Sequence, residues 1–288
     1  MNAFNEAVRL LPPRLAAAFG QTVKNAEEFR LRTGFAPTAL ILGTEVKISE
    51  ALVTSADIEC LLEKATNASV HTAQADMAKG FIPCRFGIRL GLCGTGIITG
   101  GRVAGLRDIS SVSVRIPHEV RGCGGEVLDT LCRERNANVL IISQPGGGKT
   151  TFLRECIRVL SNAGTRVAVA DERGELAAMH RGAAQFDIGE HTDVLTDIPK
   201  AEAVIMLLRA MNPQVVVMDE ISSPADCAAV STAIGCGVRV IATAHAGSVH
   251  ELHKRPVYKS LLELGAFSNA VIISNNAGVR SYGWEALA

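Results

Sequence analysis

Residues 139–151 read Val-Leu-Ile-Ile-Ser-Gln-Pro-Gly-Gly-Gly-Lys-Thr-Thr, and no other stretch restricts the fold of this chain so tightly. Four aliphatic residues in a row suit a strand buried on both faces, as in a parallel sheet covered by helices. Three glycines follow, then a run over 152–161 with helical spacing. In a strand–glycine turn–helix unit, successive backbone N–H groups converge on an anion and the helix start adds its positive end. Only glycine lets a backbone come so close. The anion this spacing expects is the phosphate chain of ATP. Ser143, Gln144, Pro145, Gly146, Gly147, Gly148, Lys149, Thr150 and Thr151 form the cradle. Lys149 is expected on the β- and γ-phosphates and the Thr150 hydroxyl on Mg²⁺. The strict motif starts with glycine eight residues from its end, where this chain has Ser143.

About 70 residues on, 215–220 reads Val-Val-Val-Met-Asp-Glu, a second buried strand ending in two carboxylates. Charges at the C-terminal end of a parallel strand face the crevice where ligands bind. Asp219 is expected to hold Mg²⁺ through its water shell and Glu220 to polarise the attacking water, which argues for hydrolysis. Residues 166–170 form another strand and lead into Asp171-Glu172-Arg173-Gly174-Glu175. That cluster is either a solvated turn or a second acidic wall, with Glu172 and Glu175 as reserve bases. The strand 238–242 runs into Thr243-Ala244-His245. Thr243 is placed to sense the γ-phosphate, and His245 to approach the nucleotide from the same edge. The other histidines show no metal-ligand spacing.

The first 125 residues carry a different grammar: a helix over 4–19, short strands at 29–32 and 38–42, a helix from 54 or 55 to 65, and glycine-broken apolar pieces over 81–116. The last of these read as antiparallel sheet or hairpins. Gly122-Cys123-Gly124-Gly125 is the expected hinge. Beyond it, strands alternate with helices of ten or so residues, which implies a parallel sheet. The chain ends in an expected hairpin, 270–274 with 279–282.

Charge is balanced, 29 basic against 29 acidic residues, so net charge favours neither a nucleic acid nor any other polyanion. Arg85, Arg89, Arg102, Arg107, Arg115 and Arg121 nevertheless face only Asp108 and Glu119 across their stretch. A nucleic-acid-dependent ATPase is therefore the alternative. It is disfavoured because Phe86 is the one stacking platform there. Arg107 and Arg115 are candidates for a finger reaching a neighbouring subunit's nucleotide. Eight cysteines without a CxxC pair, and no signal-like N-terminus, suggest a reduced cytoplasmic protein. No apolar run approaches the roughly 18 residues of a membrane span, so membrane association is expected to be peripheral.

The order of phosphate loop, acidic box (Asp171–Glu175), Leu208-Arg209 with Asn212-Pro213, Asp-Glu strand and Thr-x-His strand end resembles the secretion ATPases of type II and type IV secretion and pilus retraction. A closer resemblance, over nearly the whole chain, is to the stage III sporulation protein AA family. It is carried by Glu28-Phe29-Arg30-Leu31-Arg32, Gly105-Leu106-Arg107-Asp108-Ile109-Ser110-Ser111 and Asp171-Glu172-Arg173-Gly174-Glu175-Leu176. The resemblance implies an α/β protein with an α+β domain over 1–121 and a RecA-like P-loop ATPase domain over 122–288. It further implies a homo-oligomer, hexameric in the family, docked peripherally on a membrane channel complex in the mother cell.

Overall fold

The computed structural model describes residues 3–23, 26–66, 74–276 and 279–287. The chain forms two compact units, Met1–His118 together with His180–Gln185, and Glu119–Met179 together with Phe186–Ala288.

The first unit is built on a six-stranded antiparallel sheet in the order β3-β2-β1-β6-β5-β4. Its strands are β1 (Glu28–Arg32), β2 (Thr38–Ile41), β3 (Thr44–Lys47), β4 (Phe81–Pro83), β5 (Arg89–Thr99) and β6 (Arg102–Arg115). Alternation sets one face of the sheet inward. Phe29, Leu31, Leu90, Leu92, Val112 and Val114 are buried with Leu15 and Phe19 from a helix and Leu11 from the turn before it. Phe29 sits at the centre, its ring 4.5 Å from Phe19 and edge-on to Phe4 at 5.8 Å. Truncating such a residue costs about 3–5 kcal/mol.

The helix expected over 4–19 is two helices, α1 (Ala3–Leu10) and α2 (Pro13–Thr22). Pro12 and Pro13 explain the break, since proline donates no backbone hydrogen bond and bars its predecessor from helical geometry. Pro13 then begins α2, the position where a helix tolerates proline. Two more α-helices among the described residues, α3 (Ser55–Thr66) and α4 (Gln74–Ala78), belong to the unit.

The Gly105–Ser111 motif lies in β6 and builds an irregularity. Cys93 pairs with Ser111 and Thr95 with Arg107, so β6 carries two more residues than β5 over this interval. Asp108 takes a left-handed φ of +49°. The bulged backbone presses on Gly94, where a Cβ would meet the Arg107 carbonyl oxygen at 2.7 Å.

The second unit holds a seven-stranded sheet in the order β13-β12-β7-β11-β10-β8-β9. The strands are β7 (Val139–Ser143), β8 (Val167–Asp171), β9 (Thr192–Thr196), β10 (Val215–Glu220), β11 (Arg239–His245), β12 (Asn269–Asn276) and β13 (Val279–Ala286). Every neighbouring pair is parallel except the terminal hairpin of β12 and β13. The hairpin's turn, 277–278, lies outside the described residues.

Alternate strand residues feed two cores. Val139, Ile141, Val169 and Val217 pack with Phe152, Cys156 and Leu160 of α6 (Lys149–Asn162) and with Leu128 and Leu131 of α5 (Gly125–Arg133). Leu140, Ile142, Val216 and Met218 face Val204 and Leu207 of α7 (Lys200–Ala210), Val230 of α8 (Pro224–Gly235) and Leu261 of α10 (Pro256–Glu263). A short α9 (Val249–His253) precedes α10.

From β7 the chain crosses to β8, three positions away on one side with β11 and β10 between them, whereas β12 returns to the other side of β7. The reversal makes the C-terminal end of β7 a topological switch point, where open α/β sheets leave a ligand crevice.

Candidate functional site

The crevice at the end of β7 begins with the glycine loop. Ser143 is the last residue of β7, and α6 starts at Lys149. Gly146 and Gly148 adopt left-handed φ angles of +74° and +102°, so side chains there would strain the turn. Gly147 is required for another reason: a Cβ on it would lie 1.8 Å from Ser143 Oγ. The Ser143 hydroxyl donates to the Gln144 carbonyl at 2.8 Å, and the Gly147 N–H donates to the same oxygen at 3.0 Å. The helix that follows has no side-chain cap. By contrast, α8 caps itself with a Ser223–Asp226 capping box.

Lys149 is 8% exposed. Its ammonium donates to the Ser143 carbonyl at 3.2 Å and to His245 Nδ1 at 2.8 Å. On the other side of the ring, His245 Nε2 lies 2.9 Å from Glu220 Oε2. An ammonium offers only donors, so Nδ1 accepts and the neutral imidazole carries its proton on Nε2, which donates to Glu220. Lys149, His245 and Glu220 therefore form one hydrogen-bonded chain across the ends of β11 and β10. Burial pushes the Lys149 pKa down, and the Glu220 and Asp219 charges oppose that shift.

Between β7 and β10 stands β11, where Thr243 pairs in register with Ile141 and Glu220. Thr243 is fully buried and its Oγ1 has no hydrogen-bond partner. A buried hydroxyl without a partner costs about 1–3 kcal/mol, so its persistence at these strand ends points to a ligand that satisfies it. The Tyr258 hydroxyl donates to the carbonyl of Ile221, the residue after Glu220, at 2.7 Å.

Asp219 lies beside Glu220 in a desolvated, acidic place. Burial, then the Glu175 and Asp171 carboxylates, push its pKa up to about 6, against the pull of Lys200 and Arg173. A carboxylate so placed favours a bound cation or a proton. The uncapped helix start, the left-handed glycines, the buried ammonium, the orphaned Thr243 hydroxyl and this carboxylate together suit a polyphosphate with a metal ion.

The acidic box divides three ways. Asp171 is fully buried, and its carboxylate accepts the backbone N–H groups of Glu175 (2.8 Å), Leu176 (3.1 Å) and Ala177 (2.9 Å). It shapes the loop rather than facing the crevice. Glu172 pairs with Lys200 at 3.3 Å. Glu175 contributes charge to Asp219. Lys200, which the sequence reading passed over, also lies 3.9 Å from Asp226. A signal was there: a lysine opening a helix runs against the helix dipole and needs local carboxylates to offset it.

A model of the family described as sporulation stage III, protein AA matches residues 4–281. The stage III sporulation protein AA of Bacillus subtilis (strain 168) is 36% identical over 284 residues, covering 95% of this chain and 92% of that protein. Among solved structures, the Legionella pneumophila ATPase DotB matches with a TM-score of 0.58 at 16% identity, covering 98% of this chain and 78% of DotB. The pilus retraction motor PilT with bound ADP matches with a TM-score of 0.63 at 16% identity, covering 98% and 80%. These two likenesses establish the fold, a RecA-like P-loop α/β fold shared with the ATPase DotB and the motor PilT. Among the described residues no helix is long and apolar enough to cross a membrane. By family model and by identity along nearly its whole length, the chain belongs to the stage III sporulation protein AA family.

Proposed function

We propose that the chain binds ATP with Mg²⁺ and hydrolyses it, as an oligomeric ATPase that energises or assembles a membrane channel complex during sporulation. The observation that carries the hydrolytic part is the chain Lys149–His245–Glu220 at the mouth of the glycine loop. It ties the residue that holds phosphate to the residue that activates water. Thr150 and Asp219 would hold the metal, which when bound neutralises charge on the β- and γ-phosphates. Glu220 takes a proton from the attacking water, and the Nε2–H of His245 keeps its carboxylate oriented. Thr243 gives its unpartnered hydroxyl to the terminal phosphate. Assembly into a hexamer and docking at a membrane rest on the family and on the ATPases it resembles in fold.

A nucleic-acid-dependent ATPase draws less support. Arg121 is paired with Glu119 and Asp187, Arg107 with Asp108, and Arg89 lies over the Phe81 ring at 4.1 Å. Steady-state hydrolysis separates the two readings, measured with and without Mg²⁺ and with and without single- and double-stranded DNA at two salt concentrations. Mg²⁺-dependent turnover indifferent to DNA supports the proposal. Stimulation by DNA that fades steeply with salt would transfer it to the rival.

A further inference from the structure

Arg280 is the second residue of β13, in the hairpin that flanks β7. Its side chain lies across Gly148, the last loop residue before Lys149. A Cβ on Gly148 would stand 2.9 Å from Arg280 Nε and 3.2 Å from Cζ. Gly148 is fixed as glycine by its left-handed backbone, with the end of the arginine side chain lying close above it. Among the described residues no carboxylate forms an ion pair with this guanidinium. A guanidinium is always charged, and its planar fork matches pairs of phosphate oxygens. Here, exposed to solvent and without an ion-pair partner among the described residues, it lies over a loop built to receive phosphate.

On its other side Arg280 lines an open surface depression of about 640 Å³, shared with Cys123, Gly125, Glu126, Ser281 and Tyr282. The Tyr282 ring rests 5.2 Å from that of Phe152, in the first turns of α6. Gly124 closes down on Phe152 so tightly that a Cβ would lie 2.3 Å from the ring. The depression is thereby fastened to the helix that the phosphate loop begins. Its size falls within the range of small-ligand pockets, about 300–1,000 Å³. Glu126, an exposed residue on its rim, brings a carboxylate acceptor of the kind sugar hydroxyls use.

We propose that Arg280 is a phosphate-binding residue supplied by the same subunit, and that the depression it borders receives the nucleoside end of the nucleotide. The proposal rests on the phosphate-loop assignment made above. It adds a cation that reaches the loop from the terminal hairpin, and it gives the nucleotide a direction: terminal phosphate toward Glu220, nucleoside toward Gly125 and Ser281.

Calorimetric titration with two probes, ATP and inorganic tripolyphosphate, both with Mg²⁺, tests it. Arg280→Ala is expected to weaken both probes together, by about tenfold to a hundredfold, because a charge-assisted contact to phosphate is lost. Arg280→Lys keeps the charge without the fork and should fall between. Ser281→Trp, which fills the depression, should weaken ATP at least tenfold while tripolyphosphate stays within twofold. Unchanged thermal unfolding certifies each variant as folded. Wild-type affinity of Arg280→Ala for both probes would overturn the arginine's role. Equal effects of Ser281→Trp on both probes, or none on either, would overturn the depression's. Lys149→Ala serves as the reference: if it still binds tripolyphosphate, the phosphate-loop assignment itself has failed, an outcome distinct from either.

Discussion

The hydroxyl of Ser143 occupies the space that a side chain on Gly147 would need, 1.8 Å from the ideal Cβ position. Ser143 is the residue at which the loop departs from its usual glycine start, so the departure is matched within the loop by a glycine four positions on. Gly147→Ala should therefore abolish nucleotide binding. The double variant Ser143→Gly with Gly147→Ala should recover part of it, since the nearest remaining atom is the Gln144 carbonyl oxygen at 3.0 Å. Nucleotide titration of the two variants checks this. Equal loss in both would show that another contact excludes the methyl group.

Lys149→Ala removes the ammonium that now bridges the Ser143 carbonyl and His245. A charge-assisted contact of this kind contributes about 1.5–3 kcal/mol. ATP affinity should fall by tenfold or more, in an equilibrium titration at neutral pH. Affinity for ATP within twofold of wild type would remove Lys149 from the phosphate site.

Asp219 gives a pH signature whose sign is fixed by its environment. Its folded-state pKa is raised to about 6, above the roughly 3.9 of an unfolded aspartate. Between those values the folded state binds more protons than the unfolded one, so stability falls as pH rises from about 4 to about 6. Above that window the ionised group costs roughly 1–3 kcal/mol. Asp219→Asn should then raise the Tm at pH 8 and leave it nearly unchanged at pH 4, while abolishing stimulation by Mg²⁺. Thermal unfolding of both proteins at the two pH values is the measurement. A lower Tm for the variant at pH 8 would contradict the assignment.

Much of this site is legible in the sequence, because its parts sit on short, strongly patterned segments. Val139–Ser143 is buried at every residue and flows straight into the loop, and Asp219 and Glu220 end a strand of three valines. What escaped detection depends on pairing across the fold. The edge strand β9 is half-buried throughout and carries no apolar run, so nothing local marks it. Asp171 reads as one more crevice carboxylate until its three backbone donors are seen. Arg280 lies far along the chain from Gly148, and only the strand order, with β12 and β13 beside β7, brings it to the loop. The break between α1 and α2, by contrast, was written in Pro12 and Pro13.

An arginine supplied by a neighbouring subunit is the expectation least supported by local geometry, because Arg107 is exposed and paired with Asp108. It remains testable by mixing. Arg107→Ala and Lys149→Ala, each inactive alone, should regain activity in mixed oligomers if the arginine acts on the next subunit's nucleotide, where such a contact contributes about 10³–10⁵ in rate. An active Arg107→Ala protein, or mixtures that never exceed their parents, would leave the basic stretch as a docking surface. Arg115→Ala runs as the parallel case.

The central claim is that Glu220, oriented by His245 and linked through it to Lys149, activates water at a bound triphosphate. A single-turnover experiment reaches it most directly: ATP labelled on the γ-phosphate is bound with Mg²⁺ to excess protein, and release of labelled phosphate is followed. The wild-type protein should convert its bound ATP to ADP and phosphate. Glu220→Gln should bind ATP with unchanged affinity yet hydrolyse it about 10²–10⁴ times more slowly. Wild-type protein that holds ATP intact, or Glu220→Gln protein that hydrolyses it at the wild-type rate, would contradict the account.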